Sequence, residues 1–164
     1  MTPFFWFAIA ALLGCQRQPD FSLDEELTVR GGCGDAYFFA KSPADEAVLV
    51  IEAPEIVAQA WEAGDSYSNA FNVSENAIGV FFQVGTNVGA PVCNDVIDGE
   101  IVVDQQYIGI GGVVRTFVTP GDTEPAAQGE AILENVQLLR EDGSGDPIDV
   151  PSLTITAQLG FMPG

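Results

Sequence analysis

The sequence predicts an all-β domain, an antiparallel β-sandwich with a β-barrel as the alternative, and one short helix near residues 55–63. Two rows of alternating apolar residues, at 153–161 and at 78–84, carry this prediction, because alternation is typical of a strand buried on one face. Strands separated by turns rather than by helices favour antiparallel pairing within one sandwich or barrel.

The first half of the chain adds three candidate strands. Residues 25–30 are a weak candidate, and residues 37–40 are a stronger one because they are apolar and aromatic. Residues 47–53 are apolar on both faces except at Glu52. This pattern predicts a central strand that is covered on both sides.

The second half adds a weak candidate at 101–103 and longer strands at 107–119 and 131–140. The pair Gly111-Gly112 inside the first long strand predicts a bulge or a sharp bend. The intervening segments are rich in Gly, Pro, Asp and Ser and are predicted to be loops, at 85–99, 120–129 and 141–151.

The single helix is predicted from its ends and from its apolar spacing. Pro54 suits a first helical position and Gly64 suits the residue after the last turn. Apolar residues recur four positions apart between them, namely Ile56, Val57, Ala60 and Trp61.

The N-terminus carries an apolar stretch at 4–13 that ends in Leu12-Leu13-Gly14-Cys15. About ten apolar residues match the core of a signal peptide and fall short of the roughly 20 that a membrane-spanning helix needs. The run resembles the lipobox of bacterial lipoproteins, over residues 1–15 only. The resemblance implies a signal peptide at 1–14 and lipidation of Cys15. The alternative is a Phe-rich first strand and an ordinary thiol.

The same resemblance bears on domain organisation and location. We expect residues 15–24 to be the lipidated cysteine and a short tether of at most ~30 Å, and residues 25–164 to form one β domain. Gln16 stands where many lipoproteins retained in the inner membrane carry Asp. By resemblance to that sorting rule, the cell envelope, and the outer membrane in particular, is the expected location.

Two cysteines remain once Cys15 is assigned to lipid. In an oxidising compartment, Cys33 and Cys93 are expected to form an intramolecular disulfide. A zinc site is the alternative, and two cysteines without any histidine make a poor ligand set for it.

Charge limits the classes of partner. The chain has 24 acidic and 5 basic residues, a formal net charge of −19. Such a field repels nucleic acid and anionic lipids and attracts cations and basic partners. Adaptation to a salty habitat is a second interpretation of the same composition.

The inventory of reactive side chains points away from most catalytic sites. The chain has no histidine, so it cannot build a Ser-His-Asp or Cys-His site. Lys41 is the only lysine and lies at the end of a predicted strand. The glycine-rich runs at 30–34 and 109–112 lack the spacing of a phosphate-binding loop.

Carboxylates on loops suggest Ca²⁺ as a possible cofactor, because Ca²⁺ prefers oxygen ligands. The alternative is that these loops are solvated turns, where Asp, Asn, Gly and Ser are favoured for backbone reasons. One possible ligand set is Asp142, Ser144, Asp146 and Asp149, and the other is Asn94, Asp95, Asp98 and Glu100.

The expected function is a non-enzymatic binding or accessory module anchored to the membrane by its lipid. Its expected partner is another envelope protein or a glycan. The alternatives are a Ca²⁺-stabilised adhesion or glycan-binding module and a glycoside hydrolase that uses two carboxylates. Conceivable contact residues are Tyr67, Phe71 and Tyr107, for which core packing is the competing interpretation.

Overall fold

The computed structural model describes residues 22–75, 77–97 and 99–160, and these residues form a single eight-stranded sheet with two helices. The strands are β1 (Val29–Cys33), β2 (Tyr37–Lys41), β3 (Ala47–Glu52), β4 (Tyr67–Asn72), β5 (Gly79–Thr86), β6 (Val102–Pro120), β7 (Ala127–Arg140) and β8 (Ile148–Leu159). The helices are α1 (Leu23–Glu26) and α2 (Ile56–Ala63), with a 3-10 turn at Val73–Glu75.

The sheet is antiparallel throughout and nearly closes into a barrel. Its order is β1-β2-β3-β5-β6-β7-β8, and β4 pairs with the second half of β6. The two ends of this order meet, because Arg30 Nη1 donates to Thr154 O at 2.8 Å and Gly160 N donates to Gly34 O at 2.7 Å. The all-β prediction is therefore confirmed, in the form of its barrel alternative.

The long strand β6 bends where its pairing partner changes. Its first half pairs with β5 and its second half with β4, and its register against β7 shifts on both sides of Gly111. At Gly112 φ is +96°, and a Cβ there would lie 2.5 Å from Asn135 O. The bulge predicted at Gly111-Gly112 is confirmed, and only glycine fits its second position.

The barrel interior is filled by the alternating residues that predicted the strands. In β8, Leu153, Ile155 and Leu159 are buried, as is Phe82 in β5. Helix α2 adds apolar residues to the same core and ends at Gly64, as predicted, with Gly64 in the left-handed conformation. Pro54, predicted at the first helical position, lies instead in the turn before Glu55, the N-cap residue. The helix thus packs against the barrel through its apolar face.

Two parts of the prediction differ from the structure. Residues 25–30 do not form one strand, because Leu23 and Leu27 are buried and hold the turn of α1 against the core before β1 begins. Strand β4 was not predicted, because its alternate positions include Ser and Asn rather than a clear apolar row.

The weak candidate at 101–103 and the strand predicted at 107–119 are parts of the single strand β6. Cys15 and Phe161 lie outside the described residues. Within the described ranges, no helix has both the length and the apolar character needed to cross a bilayer.

Candidate functional site

A loop crosses the outer face of the barrel and is held there by packing and by two attachments. We call residues 87–95, which leave the end of β5, the strap. Val88 and Val92 of the strap pack on Val48 and Val50, the outward side chains of β3, and all four are buried. The prediction that 47–53 is covered on both faces is confirmed, and the outer cover is this loop.

Two attachments hold the strap to the barrel. Near its start, Lys41 Nζ donates to Gly89 O at 3.0 Å and lies 2.7 Å from Asp45 Oδ1. Near its end, Cys93 forms the predicted disulfide with Cys33 of β1, with 5.9 Å between their Cα atoms. The strap is therefore fixed at both ends of its passage over β2 and β3.

A cavity of about 660 Å³ lies beside the disulfide, which we call the strap cavity. The turn between β1 and β2, the end of β3, the start of β5 and the strap all contribute to its wall. Much of the wall is apolar, with Ala36, Ala53 and Ile78 buried beneath it. Its polar side chains include Asp35, Tyr37, Glu52 and Asp95.

Tyr37 and Glu52 face the strap cavity from neighbouring strands, where they are directly opposite each other in the register of β2 and β3. The pKa of the Tyr37 phenol is raised above its ordinary value, first by burial and then by the negative charge of Glu52. Both effects disfavour the phenolate. Tyr37 therefore presents a neutral hydroxyl to the cavity at neutral pH.

The carboxylates of the strap cavity have different roles. Asp35 Oδ1 accepts hydrogen bonds from Val57 N at 2.9 Å and Ala58 N at 3.2 Å, so it caps the start of α2. Glu52 and Asp95 are exposed and form no ion pair with the described residues. The Tyr37 hydroxyl likewise has no hydrogen-bond partner in that part of the chain. The Tyr37 hydroxyl and the carboxylates of Glu52 and Asp95 are thus available to bond to a ligand.

A second cavity of about 890 Å³ lies at the opposite end of the barrel, among the start of β8, the end of β7 and the start of β6. Its polar groups are largely paired with protein. Tyr107 Oη donates to Gln105 Oε1 at 2.6 Å, and Arg140 Nη2 lies 3.1 Å from Asp142 Oδ2. The strap cavity is therefore the better candidate for a ligand site.

The first predicted calcium set lies in the loop between β7 and β8, except for Asp149, which belongs to β8. Asp142 accepts a hydrogen bond from Ser144 N at 2.8 Å. Hydrogen bonding by Ser144, followed by the charge of Arg140, lowers the pKa of Asp142. Asp149 accepts from Gln137 Nε2 at 3.0 Å, whereas Asp146 lines the second cavity. Asp149 lines the second cavity as well, while Asp142 and Ser144 are hydrogen-bonded to each other.

The second predicted set has two described members, Asn94 and Asp95, in the wall of the strap cavity. Asn94 Oδ1 accepts from Val96 N at 3.1 Å, Asp95 lines the strap cavity and Glu100 is exposed. Asp98 lies outside the described residues. Among the residues that the structure does describe, no three His, Cys, Asp or Glu side chains are grouped to hold a metal ion. Calcium binding by either loop stays a prediction.

The aromatic contact candidates are used for packing. Tyr67 and Phe71 are half-buried against the barrel core, and the Tyr107 ring lies 5.6 Å from that of Phe82. Sequence reasoning did not select Tyr37 or Glu52 as site residues. One signal was present, since Glu52 is the only charged residue in the apolar run at 47–53.

Comparison with models of protein families, with curated proteins and with solved structures gave no match for this chain, so its function is inferred from the geometry of the strap cavity.

Proposed function

We propose that this chain is a non-enzymatic binding module and that the strap cavity holds its ligand. The observation that carries the proposal is a cavity of about 660 Å³ in which the polar side-chain groups of Tyr37, Glu52 and Asp95 lie beside apolar walls and have no partner among the described residues. Small-molecule sites typically have this form, with volumes of roughly 300–1,000 Å³ and a few polar groups that orient the ligand. The disulfide and Lys41 preorganise the wall, which reduces the entropy lost on binding.

The test of this proposal is site-specific trapping in intact cells. A photoreactive amino acid replaces Asp95, which lines the strap cavity, and in a matched control it replaces Glu62, which is exposed on α2 outside that lining. After irradiation, the intact mass of the purified protein is measured. We expect a discrete adduct from position 95 and none from position 62. The absence of an adduct at position 95, or the same adducts at both positions, would contradict the proposal.

The non-enzymatic role has its own test. The purified protein is assayed against a panel of glycosides, because a pair of carboxylates suffices for glycoside hydrolysis. We expect no turnover. Hydrolysis that is lost when one carboxylate, such as Glu52, is changed to its amide would show that the module is an enzyme.

Anchoring at the cell envelope is the second part of the proposal, and it is supported by the run Leu12-Leu13-Gly14-Cys15. Cells grown with a labelled fatty acid should label the wild-type protein and not the Cys15→Ser variant. Fractionation of the outer and inner membranes then tests the location expected from Gln16. Equal labelling and equal membrane association of the two proteins would remove the anchor from the proposal.

A further inference from the structure

We propose that the ligand of the strap cavity is a small organic cation, with an ammonium or guanidinium group attached to an apolar body. The inference rests on the proposed function, since it names the class of ligand for the same cavity. It is drawn from the charge of the cavity wall, from its apolar surface and from the position of Tyr37.

The charge of the cavity wall determines the sign of the charge that the ligand carries. The described residues that line the strap cavity include Asp35, Glu52 and Asp95 but no lysine or arginine. Glu52 and Asp95 have no ion-pair partner among the described residues, and the whole chain carries a charge of −19. A cation is attracted to such a site, while an anion is repelled both there and at long range.

The apolar surface determines the rest of the ligand. Ala36, Ala53 and Ile78 form a buried floor, and the prolines Pro54 and Pro91 lie on the wall. These side chains offer no oxygen ligands to a bare metal ion, but they favour burial of hydrocarbon or aromatic groups. A cavity of about 660 Å³ has room for such a body together with its charged group.

Tyr37 lies between the carboxylates and the apolar surface of the strap cavity. Its ring is half-buried in the wall, directly across from Glu52 in the neighbouring strand. Side chains so paired have Cβ atoms roughly 5 Å apart. A cation held by the Glu52 carboxylate therefore lies within reach of the Tyr37 ring face, where the ring quadrupole attracts positive charge. The hydroxyl of Tyr37 adds a neutral donor or acceptor.

The experiment uses three probes with the same body, namely benzylamine, benzyl alcohol and benzoate, and the full-length protein. Binding is measured by calorimetry and located from the backbone amide NMR shifts of Ala36, Ala53 and Ile78. We expect benzylamine to bind at least about tenfold more tightly than benzyl alcohol, and benzoate not to bind. Glu52→Gln should weaken benzylamine binding by about tenfold and leave benzyl alcohol binding unchanged.

A matched control and the contrary results make the test decisive. Glu62→Gln removes an exposed carboxylate on α2 that does not line the cavity, and it should leave all three affinities unchanged. Equal affinity for benzylamine and benzyl alcohol, or no effect of Glu52→Gln in a variant that melts like wild type, would overturn the cationic assignment. Tighter binding of an arginine embedded in a glycine peptide than of benzylamine would overturn the assignment to a small ligand and would assign the cavity to a partner polypeptide.

Failure of this inference is distinguishable from failure of the proposed function. If the probes show no preference for positive charge while an adduct still forms at position 95 in cells, only the ligand class is wrong. If no adduct forms at position 95, the proposed binding function itself is contradicted, and in that case no probe is expected to shift the amide signals of the strap cavity.

Discussion

Lys41 reaches out of the sheet to Gly89, donating a hydrogen bond from Nζ to the carbonyl oxygen at 3.0 Å. The only lysine of the chain thus connects the strap to the end of β2. The same ammonium lies 2.7 Å from Asp45 Oδ1, a buried atom with no further partner among the described residues. One cation therefore serves the strap carbonyl and a buried carboxylate oxygen together.

Replacing Lys41 by Met should lower the free energy of unfolding by about 1–3 kcal/mol, because a buried carboxylate oxygen and a strap carbonyl lose their partner. Urea unfolding measures the change. Arg115→Met is the matched control, since the ion pair of Arg115 with Glu134 is exposed and such pairs contribute about 0–1 kcal/mol. Equal losses in the two variants would show that Lys41 does not hold the strap.

Removal of the disulfide should destabilise the protein and release one end of the strap. The cysteines are separated by 60 residues, and closing a loop of that length stabilises a fold by about 4 kcal/mol in the chain-entropy model. The double variant Cys33→Ser, Cys93→Ser should unfold at lower urea concentration and exchange the amide hydrogens of Val88 and Val92 faster. Wild-type protein treated with reductant should behave like the double variant. Unchanged exchange at these valines would mean that the strap stays in place without the disulfide.

The raised pKa of Tyr37 predicts a loss of stability at alkaline pH. A phenol whose pKa is higher in the folded state than the unfolded value of about 10 binds its proton more tightly when folded. The free energy of unfolding should therefore be unaffected below about pH 10 and fall as the pH rises from there towards the folded pKa. Tyr37→Phe should remove this part of the decrease.

Ultraviolet absorbance of the phenolate, as the difference between wild type and Tyr37→Phe, gives the folded pKa directly. Glu52→Gln should lower that pKa because it removes the second cause of the shift, whereas Glu62→Gln should leave it in place. A Tyr37 pKa that is insensitive to Glu52 would contradict the cross-strand contact.

Salt should stabilise this protein by screening its own charge. Raising NaCl from about 0.01 M to about 1 M shortens the screening length from roughly 30 Å to 3 Å. With a net charge of −19, repulsion in the folded state should weaken and the melting temperature should rise. Near the sequence pI of about 4.1 the same salt step should have a smaller effect. An equal response at both pH values would mean that net charge is not the cause.

Local patterns in the sequence predicted most of the strands but not their closure. The alternation in β8 and the two-sided apolar run of β3 are properties of neighbouring residues, so both could be recognised directly. Whether the sheet closes depends on contacts such as Arg30 with Thr154, which join distant parts of the chain. The spacing of apolar residues along the chain carries no information about contacts between distant segments. The sequence therefore leaves the sandwich and the barrel as alternatives.

The candidate site could not be predicted from the sequence either, because it also depends on contacts between distant parts of the chain. The disulfide could be predicted by counting cysteines, but the path of the strap from Asn87 to Asp95 could not. That path brings Asp95 to the same cavity as Tyr37 and Glu52. The sequence groups Asp95 with its neighbours as a candidate calcium ligand, because proximity along the chain is the only spatial information that it contains.

The strap rests on its own small group of valines, Val48, Val50, Val88 and Val92, which is distinct from the cluster inside the barrel. Substitutions in the strap are thus expected to disturb these four residues and to leave the barrel interior unchanged. The segment between Thr86 and Val102 could accordingly be replaced by another loop sequence while the barrel is kept. Ligand preference can diverge among descendants of this fold, or be redesigned in the laboratory, without a new hydrophobic core.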